Sequence, residues 1–310
     1  MSDRFESRLT RVMDAAAASG TLVPAFNVPY LPMIEAVCRT LARHRTFGLV
    51  EVARLELVKF EARSLAEVAA LYKQYADPRY MTLHLDHTPV IDEDHLTVDW
   101  RALIGEAIEL GYDSVMIDGS RLPLEQNIAV AAEVVRMAHP KGLAVEAELG
   151  AVLGHEAGPL PPYDELFASK RGFTDPDDAA RFVRETGVDW LSVSVGSIHG
   201  AISGAAKDQA KLEARLDIDH LKLLRAAAGV PLVLHGGSGV RQECVNEGIR
   251  NGIAKINIGT DIRQPYERAL AAGGGVKDAQ DAVAEAMSRL IELYGLENSA
   301  DRLCIPAGGQ

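Results

Sequence analysis

The chain has 310 residues and a formal net charge of −12, with 47% apolar and 25% charged residues. The length fits one large α/β domain, and the composition is that of a globular protein with a large core. The negative charge argues against a nucleic-acid partner, because phosphate backbones are bound by clustered Lys and Arg. A small anionic substrate needs only a local pocket and remains compatible with this charge.

The cysteines and the N-terminal segment indicate a cellular compartment. Cys38, Cys244 and Cys304 are scattered and form neither a disulfide framework nor a zinc motif. The first residues, MSDRFESRLTRV, are charged, and no apolar run approaches the roughly 18 residues of a membrane span. We therefore expect a cytoplasmic protein with reduced thiols and no membrane partner.

Short apolar, β-branched runs alternate with helical patterns along the chain. The eight runs are 23–28, 48–53, 81–87, 114–119, 144–150, 190–196, 231–237 and 253–259. Intervening segments carry apolar residues three and four apart, as at 32–44 and 125–138, which is typical of amphipathic helices. Eightfold alternation predicts a (β/α)8 TIM barrel, with a doubly wound open sheet as the alternative. No linker divides the chain, so residues 1–310 are predicted to form a single domain.

The longest irregular stretches follow strand three (88–99) and strand five (151–176). Loops after the strands form the active face of a barrel, so the Gly- and Pro-rich stretch after strand five is predicted to be a lid. The tail at 273–302 predicts a C-terminal extension of one or two helices that caps the barrel or forms a subunit contact.

Three histidines fall at or just beyond strand ends. His87 ends strand three, His199 lies three residues past strand six, and His235 lies near the end of strand seven. In a barrel they would converge on one rim and form a good site for Zn²⁺ or a similar divalent ion, with an open position for substrate. His84 is interpreted instead as a hydrogen-bonded core or supporting residue.

Carboxylates fall at the same predicted rim. They are Asp86, Asp118, Glu146, Glu148 and Glu156. Asp86 neighbours His87, so the two side chains point to opposite sides unless the strand twists or ends there. A half-buried carboxylate beside a metal is an acid–base candidate. Glu146 is interpreted as a buried partner of a lysine or a backbone amide, and Asp118 and Glu148 as supporting residues or alternative metal ligands.

Glycines follow strands six and seven, in GSIHG and HGGSG. Their uncovered N–H groups can cradle a phosphate, to which Ser238 and Thr260 can add hydroxyl donors, although a tight turn also explains such glycines. A divalent metal, a phosphate pocket and free carboxylates together indicate a metal-dependent aldol cleavage or its reverse, in which the metal stabilises an enediolate.

The motifs resemble those of the class II, metal-dependent fructose-bisphosphate and tagatose-bisphosphate aldolases. The resemblance runs in order through PAFNV, LHLDH, GYDSVMIDGS, VEAELG, SVSVGSIHG, PLVLHGGSG and GIAKINIGTDIR. It implies reversible cleavage of a ketose (bis)phosphate to dihydroxyacetone phosphate and an aldehyde such as glyceraldehyde 3-phosphate, as in glycolysis. It also implies Zn²⁺ or another divalent metal, possible use of a monovalent cation, and a homodimer or homotetramer.

The resemblance assigns roles to residues as well. The implied zinc ligands are His87, His199 and His235, with Asp118 and Glu148 holding the metal in an alternative, buried position. The implied catalytic residues are Asp86, which exchanges a proton with the C4 hydroxyl or aldehyde oxygen, Glu156, which removes the proton from dihydroxyacetone phosphate, and Asn257, which hydrogen-bonds the enediolate. The implied substrate- and phosphate-binding residues are Asn27, Gly200, Gly236, Ser238 and Thr260.

Some positions depart from the family pattern and leave the acceptor aldehyde open. Ala53 and Arg54 stand where a serine-containing run is usual, Thr88 replaces a glycine, and His155 stands where Glu or Gln is usual. Another anionic acceptor, such as a sugar acid or a sulfonated aldehyde, is therefore an alternative. Arg54 and Arg121 could recognise an anionic tail, but both are interpreted as solvated surface residues.

Two further alternatives concern the chemistry. A Schiff-base aldolase could use a lysine in strand eight, Lys255, as its nucleophile. A non-catalytic sugar-phosphate-binding subunit would need no chemical groups at all. The three histidines argue against the first alternative, and the intact candidate acid–base groups argue against the second.

Overall fold

The computed structural model describes residues 4–150, 162–197, 214–237 and 240–303. Eight parallel strands pair in chain order and close into a barrel, because β1 pairs with both β2 and β8. The strands are β1 (Val23–Asn27), β2 (Gly48–Ala53), β3 (Met81–Pro89), β4 (Ser114–Asp118), β5 (Ala144–Leu149), β6 (Trp190–Val193), β7 (Leu232–Leu234) and β8 (Ile253–Ile258). The predicted TIM barrel is confirmed, and the open-sheet alternative is wrong.

Helices surround the barrel. They are α1 (Arg8–Ser19), α2 (Met33–Arg43), α3 (Arg54–Lys59), α4 (Leu65–Tyr75), α5 (Trp100–Leu110), α6 (Leu124–Ala138), α7 (Tyr163–Ser169), α8 (Pro176–Thr186), α9 (Ile218–Ala228), α10 (Gln242–Arg250), α11 (Thr260–Ala271), α12 (Val276–Leu293) and α13 (Ser299–Arg302). Helix α8 shows why such segments begin and end where they do. Asp175 accepts hydrogen bonds from two N–H groups of its first turn, and Gly187 ends it in a left-handed conformation.

The strands are buried along nearly their whole length because helices cover their outer face and other strands cover their inner face. Every residue of β1, β2, β5, β6 and β7 is buried. Large side chains such as Phe26, Phe182 and Trp190 are fully enclosed. Each such burial contributes roughly 1.5–3 kcal/mol, so the polar side chains inside the barrel are held by a rigid frame.

An irregularity in β3 shapes the barrel mouth. The register with β4 runs from Leu85 opposite Val115 to Thr88 opposite Ile117, so β3 gains one residue over its partner. Such a β-bulge breaks strict side-chain alternation. Asp86 and His87 can therefore contribute to the same cluster of side chains, although they are adjacent in sequence.

Several boundary predictions need correction. Strands six and seven end earlier than predicted, at Val193 and Leu234. Strand three continues to Pro89, into the stretch predicted as irregular, and residues 163–169 of the predicted lid form α7. The rest of that lid, 151–161, lies outside the described residues. The C-terminal helices are confirmed as α12 and α13, and α12 packs on α2 and α11. Among the described helices, none has the length and apolar character needed to span a membrane.

Candidate active site

Polar side chains lie in successive layers inside the barrel. Residues two apart on a strand face the same side, so His84 and Asp86 on β3, like Glu146 and Glu148 on β5, belong to neighbouring layers. We call the deeper layer the core cluster, which consists of Glu51, His84, Glu146 and Lys255, all fully buried. We call the layer at the strand ends the rim cluster, which consists of Asp86, His87, Asp118, Glu148 and His235.

Lys255 is the centre of the core cluster. Its Nζ lies 3.0 Å from Glu146 Oε2 and 3.3 Å from Glu51 Oε2. His84 Nδ1 lies 2.8 Å from the hydroxyl oxygen of Ser114. The interpretations of Glu146 as a buried partner of a lysine and of His84 as a hydrogen-bonded core residue are therefore confirmed.

Electrostatics keep the core cluster charged but balanced. Burial alone would lower the pKa of Lys255. The negative charges of Glu146 and Glu51 raise it by more than burial lowers it, so the pKa lies above its usual value of 10.5. Burial raises the pKa of Glu146, and Lys255 more than reverses this, so the net shift is downward. Lys255 therefore remains a cation at neutral pH, whereas Schiff-base formation needs the neutral amine.

The core cluster is a poor cation site in spite of its carboxylates. Glu51, His84 and Asp86 have potential ligand atoms within 4.8 Å of one another. The ammonium group of Lys255, however, lies 3.3 Å from Glu51 and would repel a second cation strongly in a buried environment. The cluster is neutralised by its own lysine.

The rim cluster brings two of the three predicted histidine ligands together. His235 Nδ1 lies 2.6 Å from His87 Nε2, and the two rings meet edge to face with centroids 4.4 Å apart. Asp86 completes a group whose potential ligand atoms all lie within 4.8 Å of one another. Imidazole nitrogens and a carboxylate at a barrel mouth are the donor set that Zn²⁺ and similar ions prefer.

The second nitrogen of His87 faces two further carboxylates. Its Nδ1 lies 3.3 Å from Asp118 Oδ2 and 3.8 Å from Glu148 Oε2. Asp118 is held in place by Ser120, whose N–H and hydroxyl both donate to Oδ1. These three side chains form a second group able to hold a metal. The proximity predicted for Asp118 and Glu148 is thus present in the structure.

Charge in the rim cluster fits a cation. Burial and the neighbouring Asp118 raise the pKa of Glu148 to about 8. Burial alone would lower the pKa of His87. Asp86 and Asp118 raise it by more than burial lowers it, so the pKa lies well above 6.5. Glu148 Oε2 is buried without a hydrogen-bond partner among the described residues. A divalent ion would supply positive charge to this cluster and a partner for the buried oxygen of Glu148.

Asp86 is the most firmly held carboxylate of the rim cluster. Asn27 donates its amide to Oδ2 at 3.0 Å, and Asn257 donates to Oδ1 at 2.9 Å. Lys255 in turn donates to Oδ1 of Asn257 at 2.7 Å. Burial alone would raise the pKa of Asp86. The charges of His87 and Lys255 lower it by more than burial raises it, so the net shift is downward. Asp86 is therefore an oriented anion at neutral pH.

Glu56 is a nearby carboxyl group that the sequence analysis missed. It lies on α3, is buried, and its Oε2 accepts a hydrogen bond from the N–H of Ala53 at 2.8 Å. It also hydrogen-bonds Asn27, and burial raises its pKa to about 8, with a further contribution from the charge of Asp86. One signal existed: a glutamate three residues after a helix cap often folds back onto that cap.

The interpretation of Arg54 as a solvated surface residue is wrong. Its side chain is only 20% exposed and pairs with Asp92 at 3.2 Å, and the side chain of Asp92 is 3% exposed. Asp92 also accepts hydrogen bonds from backbone N–H groups of its own loop, including that of Leu96. The pair therefore ties the start of α3 to the loop after β3. Arg121 is exposed, as expected.

Part of the predicted phosphate site is described. Gly236 follows β7 with φ +70°, a conformation that favours glycine, so a turn requirement explains this residue at least in part. Thr260 is the first residue of α11, directly after β8. Five residues named above as site candidates or as departures from the family pattern lie outside the described residues: His155, Glu156, His199, Gly200 and Ser238.

The fold and this site together are those of a barrel enzyme with side chains able to hold a metal ion at the mouth of the barrel. Comparisons with known proteins give its family. Residues 7–299 match the family model for fructose-bisphosphate aldolase class-II. Fructose-bisphosphate aldolases of Streptococcus pneumoniae and Streptococcus pyogenes are 34% and 33% identical over 265 and 262 residues, covering 84% of this chain and 80% of each relative. The chain belongs to the class II fructose-bisphosphate aldolase family, whose members are metal-dependent lyases.

Solved structures agree with this family. The YdjI aldolase of Escherichia coli K12 has a TM-score of 0.74 and 26% identity, with 94% of this chain and 98% of the other covered. A putative fructose-1,6-biphosphate aldolase from Coccidioides immitis has the same TM-score at 24% identity, covering 95% and 98%, and supports the fold alone.

Proposed function

We propose that this protein catalyses the reversible, metal-dependent aldol cleavage of a ketose (bis)phosphate to dihydroxyacetone phosphate and an aldehyde such as glyceraldehyde 3-phosphate. One observation carries the proposal. In a chain of the class II aldolase family, ring nitrogens of His87 and His235 lie 2.6 Å apart at the barrel mouth, beside the oriented carboxylate of Asp86.

The metal ligands that we propose are His87 and His235, with His199 as the third from outside the described residues. Asp118 and Glu148 offer a second set of ligands around His87. The donor set fits Zn²⁺, and another divalent ion remains compatible with it. When bound, such an ion polarises the substrate carbonyl and stabilises the enediolate, a contribution of several kcal/mol.

Asp86 is proposed to accept the proton of the C4 hydroxyl during cleavage and to return it during condensation. Its two asparagine donors hold both carboxylate oxygens, and its lowered pKa keeps it ionised. Asn257 would also hydrogen-bond the enediolate. The proposed base at the donor carbon, Glu156, lies outside the described residues, so this assignment rests on the family motif.

The phosphate of the donor half is proposed to bind at the ends of β7 and β8. Barrels often build phosphate sites there, where backbone N–H groups and a helix N-terminus converge. Gly236 and Thr260 lie at these two strand ends. Gly200 and Ser238 are proposed to complete the site, and Asn27 to contact the substrate. A monovalent cation is a further cofactor that the family resemblance implies.

A second acceptor is a specific alternative. Ala53 is the register partner of Asp86, and the partly buried Arg54 follows it directly. A guanidinium group at this position could recognise an anionic aldehyde other than glyceraldehyde 3-phosphate, such as a sugar acid or a sulfonated aldehyde.

We also propose, from the family and the composition, that the protein is cytoplasmic and forms a homodimer or a homotetramer. Each chain would form one domain, and the protein would bind no nucleic acid.

A substrate panel tests the proposal. Ketose monophosphates and bisphosphates, including fructose and tagatose derivatives, are assayed for cleavage with and without EDTA. We expect cleavage of at least one substrate and its loss on chelation. Cleavage that survives chelation and can be trapped by borohydride would instead establish Schiff-base chemistry. A metal-free protein with no activity on any substrate would favour a non-catalytic binding role.

A further inference from the structure

We propose that Glu146 is a positioning residue for metal binding: its carboxylate fixes the tautomer and the ring orientation of His235 and leaves Nδ1 as the ligand atom. The inference rests on the metal site of the proposed function. It assigns a role to a residue of the core cluster, one layer below the rim cluster that would hold the ion.

The hydrogen bond between the two layers determines which nitrogen of His235 carries the proton. His235 Nε2 lies 3.0 Å from Glu146 Oε1, and both side chains are almost fully buried. A carboxylate can only accept, so Nε2 must donate and Nδ1 keeps its lone pair. Nδ1 is the atom that lies 2.6 Å from His87. The geometry matches the carboxylate–histidine arrangement that orients metal ligands in many proteins.

Glu146 is itself unable to turn away. Trp190 Nε1 donates to Oε2 at 2.6 Å, and Lys255 donates to the same oxygen at 3.0 Å. Three donors from three different strand regions therefore hold one carboxylate. The amide of a glutamine would have one oxygen for these donors, and its NH₂ group would face at least one of them. Glu146→Gln is thus a nearly isosteric change that should disturb the donor pattern.

Lys255 extends the same arrangement to the proton-transfer group. Its ammonium contacts Glu146 on one side and Oδ1 of Asn257 on the other, and Asn257 donates to Asp86. One buried cation therefore anchors both the carboxylate behind His235 and the amide that holds Asp86. This shared anchor explains why a fully buried lysine lies beneath the site without acting as its nucleophile.

Glu51 provides a matched control. It belongs to the same cluster, is equally buried, and lies 3.3 Å from Lys255. Its oxygens form no hydrogen bond with good geometry among the described residues, and the donor to Glu146 Oε1, His235, is not among its ion-pair partners. Glu51→Gln therefore makes the same substitution in the same layer without removing a hydrogen bond to Glu146 or His235.

The experiment measures Zn²⁺ affinity of the metal-free full-length protein by competition with a chromophoric chelator. We expect Glu146→Gln to bind Zn²⁺ about 10- to 100-fold more weakly than the wild type. Glu51→Gln should keep the wild-type affinity, and His235→Ala should bind more weakly than Glu146→Gln. The visible absorption spectrum of the Co²⁺-loaded proteins provides a second readout, because it reports ligand geometry. It should change in Glu146→Gln and stay the same in Glu51→Gln.

The outcomes separate this inference from the proposed function. Wild-type Zn²⁺ affinity and Co²⁺ spectrum in Glu146→Gln, with loss of binding in His235→Ala, would overturn the positioning role and keep the metal site. Wild-type affinity in His235→Ala would overturn the metal site itself. Circular dichroism checks folding. Should Glu146→Gln fail to fold, Glu146→Gln/Lys255→Met, which removes one charge of each sign, replaces it with the same expected weakening.

Discussion

The core cluster and the rim cluster are built on the same strands, two residues apart, yet they balance their charge in different ways. The core cluster encloses its own cation, Lys255, between Glu51 and Glu146. The five members of the rim cluster include three carboxylates and neither a lysine nor an arginine. Buried carboxylates are costly without a counter-charge. The first layer therefore carries a lysine as its counter-charge, whereas the second has only histidines for this purpose and has the donor groups for a divalent ion.

This difference places groups that mainly balance buried charge within a few ångströms of groups that would bind the ion, and Glu146 is the proposed link between the two layers. Removing a core charge should cost free energy of unfolding, because a partner remains buried and unpaired. Removing a rim ligand should cost metal binding and activity, because the group serves an ion rather than the fold. The predictions that follow test this division, beginning with the largest effect.

Removal of a proposed rim ligand is the strongest test. His87 presents one nitrogen to His235 and the other to Asp118, so His87→Ala removes a ligand from both candidate groups. We expect loss of bound metal and a fall in kcat/KM of ~10³-fold or more, since the metal contributes several kcal/mol to the reaction. Metal content and aldol cleavage are measured together. Retention of stoichiometric metal by the folded variant would contradict the assignment.

Asp86 should show the opposite split between metal and chemistry. Asp86→Asn keeps the shape but removes the proton acceptor, so we expect kcat to fall about 10²- to 10³-fold. Metal content should change little: Asp86 lies within reach of the same ion, but the ligands that we propose are His87, His199 and His235, and Asp86→Asn leaves all three in place. Metal content and steady-state kinetics are measured on the same preparation. A variant that keeps full activity would show that another group accepts the proton of the C4 hydroxyl.

Lys255→Met tests the core layer. The change leaves Glu146 and Glu51 buried without their shared cation, and we expect a loss of about 3–5 kcal/mol in the free energy of unfolding. Urea unfolding of the metal-free protein measures it. Glu148→Gln, one layer up, is the matched control and should cost much less, because the pKa of Glu148 is raised to about 8 and its carboxyl is largely protonated at neutral pH. Equal losses in both variants would contradict the division between the layers.

Strand ends were the most predictable part of the site. The repeat of eight strand–helix units located the barrel, and parallel strands brought His87 and His235 to one rim. Spacing by two residues also explains why His84 and Glu146 lie deeper than Asp86 and Glu148. The bulge that lets Asp86 and His87 share one cluster could not be predicted, because it depends on the register between β3 and β4.

Side chains on loops and short helices were harder to predict, because their contacts come from distant parts of the chain. Arg54 looked like a surface arginine until the loop after β3 brought Asp92 to it. Glu56 is one of several glutamates in polar sequence. Its side chain folds back to the N–H of Ala53, at the end of β2, and this contact places it beside Asn27. Helix α7, within the predicted lid, was missed because its seven residues are too few to show a periodic pattern.

Glu56 gives the smallest and most selective prediction, because it concerns the titration of one buried carboxyl group. Its pKa is raised from 4.5 to about 8 in the folded protein by burial and by Asp86. Between these values the unfolded chain releases the proton while the folded protein keeps it, so the stability contributed by Glu56 is full below pH 4.5 and is lost as the pH rises to about 8. In the metal-free protein, the free energy of unfolding of the wild type relative to Glu56→Gln should decline over this window, by at most about 1.4 kcal/mol per pH unit. Urea unfolding at a series of pH values measures the difference, and Glu106→Gln on the exposed side of α5 controls for loss of a surface carboxyl. A difference that is flat or rises with pH would mean that Glu56 is ionised in the folded protein and belongs with the charged groups of the rim.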